Sequence, residues 1–208
     1  ITDGTTTVTV AAVVNPDGSY STTADLSGLA DGPLTVTASV SDTAGNPATA
    51  TDTASLDTTA AITVSLDDVN SGSAAAAPIT GTTNGVEAGQ TVTLQITDGT
   101  ATVTVTAIVN PDGSDTTTAD LSTLADGPLT VTATVSDTAG NPATATDTAA
   151  LDTTAAITVS LDDVNGGNVA TAPIAGTTTG VEAGQTVTLQ ITDGTTTVTV
   201  AAVVNPDG

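Results

Sequence analysis

Apolar and polar residues alternate along most of this chain. In Thr91-Val92-Thr93-Leu94-Gln95-Ile96, the residues Val92, Leu94 and Ile96 fall on one side and hydroxyl or amide side chains on the other. A period of two is the mark of a half-buried β-strand. The same pattern predicts strands over 62–66, 77–82, 102–109, 116–121, 129–135 and 143–151. In the sixth, Leu129, Val131, Ala133 and Val135 are the inward set. Between these runs stand turn residues: Asp98-Gly99 as a hairpin signal, and Asn110-Pro111-Asp112-Gly113 as a turn. No run carries a helical period.

Self-comparison organises these strands into units. The segment ITDGTTTVTV at Ile1 returns as ITDGTATVTV at Ile96 and as ITDGTTTVTV at Ile191, a period of 95 residues. Residues 1–113 and 96–208 differ at 17 positions, so the copies are about 85% identical. A period of that length suits a whole domain rather than one coil of a solenoid. With the linker placed at Leu56-Asp57-Thr58-Thr59 and its copy at Leu151-Asp152-Thr153-Thr154, residues 58–152 form one complete repeat. Residues 1–57 then read as the C-terminal part of a preceding repeat, and 153–208 as the N-terminal part of a following one. About seven short strands per unit, with a turn signal roughly every ten residues, predict an all-β fold. The expected architecture is a tandem array of antiparallel immunoglobulin-like sandwiches.

Composition narrows the chemistry. The chain has no Lys, Arg, His, Cys, Met, Trp or Phe, a single Tyr (Tyr20), and a formal charge of −23. So acidic a chain with so few aromatics is often disordered, but here 38% of residues are apolar and they are patterned. The core must be built from Val, Leu, Ile and Ala. At about 25 cal/mol per Å² of buried apolar area, exchanging aromatics for Ala and Val makes each core a modest one. Without His, Cys or Lys there is no Ser–His triad, thiol nucleophile, Schiff base or near-neutral general base. The usual zinc ligands are missing too. With no Lys or Arg to neutralise phosphate, nucleic acid and anionic lipid are excluded as partners. No stretch approaches a membrane span, and a secretion signal would lie outside these residues.

Several ordered motifs carry a family resemblance. They are GTTNGVEAGQTVT (81–93), NPDGS (110–114), LADGPLTVTA (124–133), DTAGN (137–141) and LDTTA (151–155). Together they resemble the bacterial immunoglobulin-like repeats of giant type I-secreted, RTX-type adhesins, across the whole 95-residue unit and both partial copies. Members often carry Trp just after the NxDGS turn. Here that place holds Tyr20 in one copy and Asp115 in the next, a departure that touches local packing rather than the fold. The resemblance implies an extracellular location on the bacterial surface and a role as an extender that holds a distal ligand-binding domain away from the cell. It also implies Ca²⁺ at the junctions between repeats.

The acids are arranged in a way that fits that ion. In the expected sandwich, the loop with Asp137 and Asn141, the turn with Asp112 and the loop with Glu87 share the pole where linker Asp57 enters. Asp67 and Asp68, Asp126 and linker Asp152 lie at the opposite pole. Stacking the repeats head to tail would gather Asp31 and Asp57 with Glu87, Asp112, Asp137 and Asn141; Asp42 is the earlier copy of Asp137. Ca²⁺ takes six to eight hard oxygens from such side chains and from carbonyls. Converging carboxylates without a cation repel, and this chain offers none of its own. The plainer reading of Asp98, Asp112 and Asp126 is that each precedes a glycine in a turn. Asp25, Asp52, Asp120 and Asp147 sit in strand-like runs and read as solvated charges. Asp67-Asp68 is a poor acid dyad, because neighbours on a strand face opposite ways.

The expected partners are adjacent repeats of the same chain, with Ca²⁺ the only cofactor and no membrane insertion. Two other readings compete with the extender. One is a self-assembled filament with lateral contacts through Thr-rich edge strands. The other is an ice- or carbohydrate-binding face built on Thr5–Thr9 and Thr102–Thr106, although sugar sites usually carry aromatic platforms. An enzyme would have to work with two carboxylates alone.

Overall fold

The structure, a computed structural model, describes residues 1–207. In the first segment, β1 (Gly32–Ser41) and β2 (Pro47–Leu56) form an antiparallel hairpin in register from Gly32↔Leu56 to Ser41↔Pro47. The central region holds β3 (Ala61–Leu66), β4 (Val69–Asn70), β5 (Ala77–Asn84), β6 (Thr91–Thr97), β7 (Thr102–Ile108), β8 (Ser114–Ala119), β9 (Gly127–Ser136) and β10 (Pro142–Asp152). The last segment adds four two-residue strands, β11 (Ala156–Ile157), β12 (Ser160–Leu161), β13 (Ile174–Ala175) and β14 (Thr178–Thr179). It ends in a hairpin of two seven-residue strands, β15 (Thr186–Thr192) and β16 (Thr197–Val203).

Between Ala61 and Asp152 the chain makes a two-sheet sandwich. One sheet is β3-β5-β8 and the other β4-β10-β9-β6-β7, antiparallel throughout except where β4 runs parallel to the end of β10. The inward faces meet in a single core. Ile79, Val92, Leu94, Ile96, Val109, Leu121, Leu129, Val131 and Leu151 are its largest fully buried members. Threonines take the outward positions, where a β-branched polar residue suits a solvated strand.

The structure departs from the sequence expectation in four places. There are eight strands rather than seven, because the first strand changes sheets: β3 belongs to one and β4 to the other, with Asp67-Asp68 at the crossing. A single 3-10 turn, Ala74–Ala76, follows. The fifth strand expected over 116–121 runs instead from Ser114 to Ala119, since pairing starts directly after the Gly113 turn at Ser114↔Thr82. Leu121 is nevertheless in the core, its N–H bonded to the Ala74 carbonyl at 2.7 Å. Finally, the Asp98-Gly99 hairpin is not a two-residue turn. Thr97 pairs with Thr102 across a loop of residues 98–101, and only the glycine has positive φ.

Asp147 is also not a free surface charge. Its Oδ2 accepts the Leu66 amide at 2.9 Å, and Asp68 Oδ1 accepts the Ala150 amide at 2.8 Å. The two carboxylates, one from each strand, pin β10 to the strand that changes sheets. Asp25 and Asp120 are exposed, as expected, and accept the N–H and hydroxyl of Ser27 and Ser122. Asp52 accepts the Thr53 N–H at 2.9 Å.

Candidate functional site

The junction preceding the central sandwich is the four residues 57–60 between β2 and β3. From the preceding segment, the Asp31 carboxylate accepts the Thr58 hydroxyl at 2.8 Å and the Thr59 hydroxyl at 3.0 Å. From the following sandwich, the Asn141 amide donates to the Asp57 carbonyl at 3.1 Å and lies 3.5 Å from Asp57 Oδ1. Gly85, at φ +72°, lets the Thr59 carbonyl approach so closely that a Cβ there would collide with it. The linker is thus held from both sides. The arrangement recurs at the next junction: Asp126 accepts the Thr153 N–H and hydroxyl at 3.1 and 2.8 Å and the Thr154 hydroxyl at 3.2 Å. Gly180 there faces the Thr154 carbonyl as Gly85 faces that of Thr59.

Around Asp57 the oxygens are dense. The loop after β9 folds back on itself because Asp137 Oδ1 accepts the Asn141 N–H at 2.8 Å, while Oδ2 takes the Asn141 amide at 2.6 Å. Asp137 is only 5% exposed. Burial opposes its ionisation, but the amide and backbone N–H of Asn141 outweigh that and hold the carboxyl below the ordinary range. Glu87 Oε2 accepts the Thr138 N–H at 2.9 Å. Thr138, through its hydroxyl and its N–H, lowers the Glu87 pKa, and the negative charge of Asp137 works against it. Asp57, Glu87, Asp137 and Asn141 therefore lie in one neighbourhood, with Asp31 attached to the same linker. The hydroxyl of Thr58 and, behind it, its N–H hold Asp31 below the usual carboxylate range.

The other candidates have other partners. Asp112 is engaged by its own turn, accepting the Ser114 N–H at 3.0 Å and hydroxyl at 2.6 Å. Asp42 repeats the Asp137 arrangement in the first segment, with Asn46 Nδ2 at 2.8 Å from Oδ2. Asp67 and Asp68 lie where the first strand changes sheets, and Asp152 accepts the Thr154 N–H at 3.2 Å in the second linker. The linker threonines Thr58, Thr59, Thr153 and Thr154 were not singled out from sequence. The joint recurrence of LADG and LDTT at a fixed spacing is the signal that could have found them.

Among the described residues, no three acids converge to the spacing of a finished metal site. The donor set is nevertheless one of hard oxygens, the kind Ca²⁺ selects. The Asn141 NH₂ is the positively polarised group lying between Asp57 and Asp137. Turning that amide over would place its oxygen there instead, completing an all-oxygen set. The donor chemistry, rather than a preformed cluster of acids, is what suits the ion.

No protein-family model matches the chain, and no curated protein does. Solved structures do. The tetra-tandem repeat in the extending region of a large adhesion protein is 37% identical over 100% of this chain and 54% of its own length, with a TM-score of 0.47. This chain thus spans about half of that structure. A Ca²⁺-stabilised adhesin that helps an Antarctic bacterium reach out and bind ice is 28% identical over 86% of this chain and 47% of that one, with a TM-score of 0.42. A single bacterial immunoglobulin-like domain from the M. primoryensis ice-binding adhesin is 30% identical over 96% of its length and 44% of this chain, with a TM-score of 0.34. Identity across nearly the whole of that domain carries the assignment, not the superposition. The chain belongs to the bacterial immunoglobulin-like tandem repeats of large adhesion proteins.

Proposed function

We propose that this chain is an extender segment of a bacterial surface adhesin, a rod of stacked repeats that carries a distal binding domain outward from the cell. In this reading residues 58–152 are one repeat, and 1–57 and 153–208 belong to its neighbours. The observation that carries it is the doubly held linker: Asp31 grips Thr58 and Thr59 from one side while Asn141 grips Asp57 from the other. A spacer that transmits reach needs restrained seams, and four residues tied at both ends supply that restraint. Further support comes from the solved relative that is itself an extending region. The residue types needed for nucleophilic or near-neutral acid–base catalysis are also missing from the chain.

Calcium belongs to the same proposal. Asp57, Glu87, Asp137 and Asn141 would hold the ion, with Asp31 fixing the linker that presents Asp57. Bound there, Ca²⁺ would supply the positive charge this chain does not contain, relieving the repulsion between carboxylates on either side of the seam. Small-angle scattering on the full chain tests this, first in EGTA and then in millimolar Ca²⁺. The expected result is a longer, narrower distance distribution with Ca²⁺ and a higher unfolding temperature, since a ligand of the folded state stabilises by mass action. Asp137→Ala should abolish both responses. A scattering profile that ignores Ca²⁺, with no heat of binding by calorimetry, would remove the metal from the account and leave the extender reading on the linker contacts alone.

A further inference from the structure

The central sandwich buries two carboxylates, Asp115 and Asp137. Asp137 has its Asn141 partners. Asp115 has none: it is 3% exposed, and its Oδ2 is enclosed without any hydrogen-bond donor. It lies on β8 directly opposite Gly81 of β5. A Cβ added to Gly81 would stand 2.6 and 2.9 Å from the two Asp115 oxygens and 2.6 Å from the Thr63 carbonyl of β3. The carboxylate therefore lies against the bare backbone of a glycine, in space that any other residue at 81 would claim. An enclosed charged group without partners is costly, since nothing replaces the water it has lost.

Nothing nearby neutralises it. The elements packed against β8 are β5, β7 and the 74–76 turn, and behind β5 lies β3; none of them contains a titratable residue. On its own strand Asp115 is the sole acid. The flanking Asp112 and Asp120 are occupied by Ser114 and Ser122. Burial alone pushes the Asp115 carboxyl above its ordinary range. The preceding copy carries Tyr20 at the same place. A flat ring across a strand from a glycine covers the gap that glycine leaves, with large apolar area and no charge.

We propose that Asp115 makes the central repeat a pH-graded soft unit of the array, its β3-β5-β8 sheet loosened by a buried charge at neutral pH and tightened by protonation in mild acid. The sign follows from linkage. A carboxyl that holds its proton more firmly when folded adds stability that is complete below its unfolded value. That stability is lost as pH rises through the folded value. A copy with Tyr in this position has no such dependence. Near-identical repeats would thus differ in which one opens first, through one residue.

The test uses the full chain with Asp115→Asn and, separately, Asp115→Tyr. Urea unfolding is followed by circular dichroism, and amide exchange at Ile79–Thr83 is read at fixed pH to locate the change in this sheet. At pH 7.5 both variants should unfold at higher urea than the parent. The advantage of Asp115→Asn should be smaller at pH 4.5. An Asp115→Asn midpoint equal to or below the parent at pH 7.5, or an advantage of the same size at both pH values, would overturn the proposal. So would stabilisation by Tyr alone, which would make packing rather than charge the cause.

Discussion

Leu94→Ala offers a test of the packing argument with its control inside the same chain. Leu94 is fully buried, paired to Val105 of β7 on one side and to Ala133 of β9 on the other. Truncating such a leucine costs the transfer of the lost methylenes plus a cavity, about 3–5 kcal/mol in all. The upper half of that range applies here, because Ala133 is too small to fill the gap and sheet backbones cannot close on it. A unit of about 90 residues holds roughly 5–14 kcal/mol, so one substitution removes a large share of it. Leu189 sits in the identical heptad TVTLQIT on β15, but it is only half-buried and pairs with Val200 of β16 alone. Leu189→Ala should cost about 1 kcal/mol, the transfer term of a partly covered side chain with little cavity to leave. Both variants would be unfolded in urea with amide exchange resolved by residue, so that loss in β6 is separated from loss in β15. Equal costs at the two positions would refute the reasoning, because the local sequence is the same and only burial differs.

Two more predictions follow from single contacts. Asp98 accepts N–H bonds from Ala125, Ala101 and Thr100 at 2.8, 2.7 and 2.7 Å and is held far below the usual carboxylate range by them, Ala125 foremost. A carboxyl with a depressed folded value adds stability that is complete above its unfolded value near 4 and disappears as pH falls through the folded one. Asp98→Ala should therefore melt earlier than the parent at pH 7, with the difference in melting temperature narrowing steadily below about pH 4. Gly85→Ala should cost about 1–3 kcal/mol, from positive φ together with overlap on the Thr59 carbonyl. Gly99→Ala shares the positive φ (+90°) but meets open space, so its smaller urea-midpoint shift isolates the linker contact.

The architecture was legible because burial in a sandwich imposes a period of two. Val92, Leu94 and Ile96 announced their face without reference to any partner. Strand β8 was harder to place. In Ser114-Asp115-Thr116-Thr117-Thr118-Ala119 the inward residues are an acid and a small alanine, so alternation carried almost no hydrophobic contrast and the strand was displaced by two residues. The repeat period revealed the linkers, but not what holds them. Asp126 reads as a turn residue before glycine, and both it and Asp31 lie at a bend just ahead of a strand. Their oxygens also reach threonines 27 and 28 residues downstream, a contact that no local pattern encodes. Asp147 and Asp68 are similar: each satisfies a backbone amide more than 80 residues away in sequence. The Tyr20/Asp115 exchange was visible as a difference between copies, whereas its burial depended on the glycine opposite.

These particulars explain how a chain without a single cationic side chain stays folded. A carboxylate can be stabilised by an opposite charge, by hydrogen-bond donors or by water. With the first unavailable, this sequence relies on the second at nearly every acid that shapes the fold. Asp3, Asp98 and Asp193 tie hairpin loops; Asp17 and Asp112 close turns; Asp31 and Asp126 grip linkers; Asp42 and Asp137 fold their own loops. The donors are backbone N–H groups, serine and threonine hydroxyls and asparagine amides, which explains a composition rich in Asp, Thr and Gly. Such bonds act over short distances and need no opposite charge, so near-identical acidic segments can follow one another along the chain without ion pairs. Longer-range repulsion between carboxylates is left unbalanced by that solution, since the chain has no cationic side chain. In the proposed reading, the seam with Asp57, Glu87 and Asp137 is where an external divalent cation has most to contribute, and Asp115, whose Oδ2 is enclosed without a donor, is where the same strategy fails.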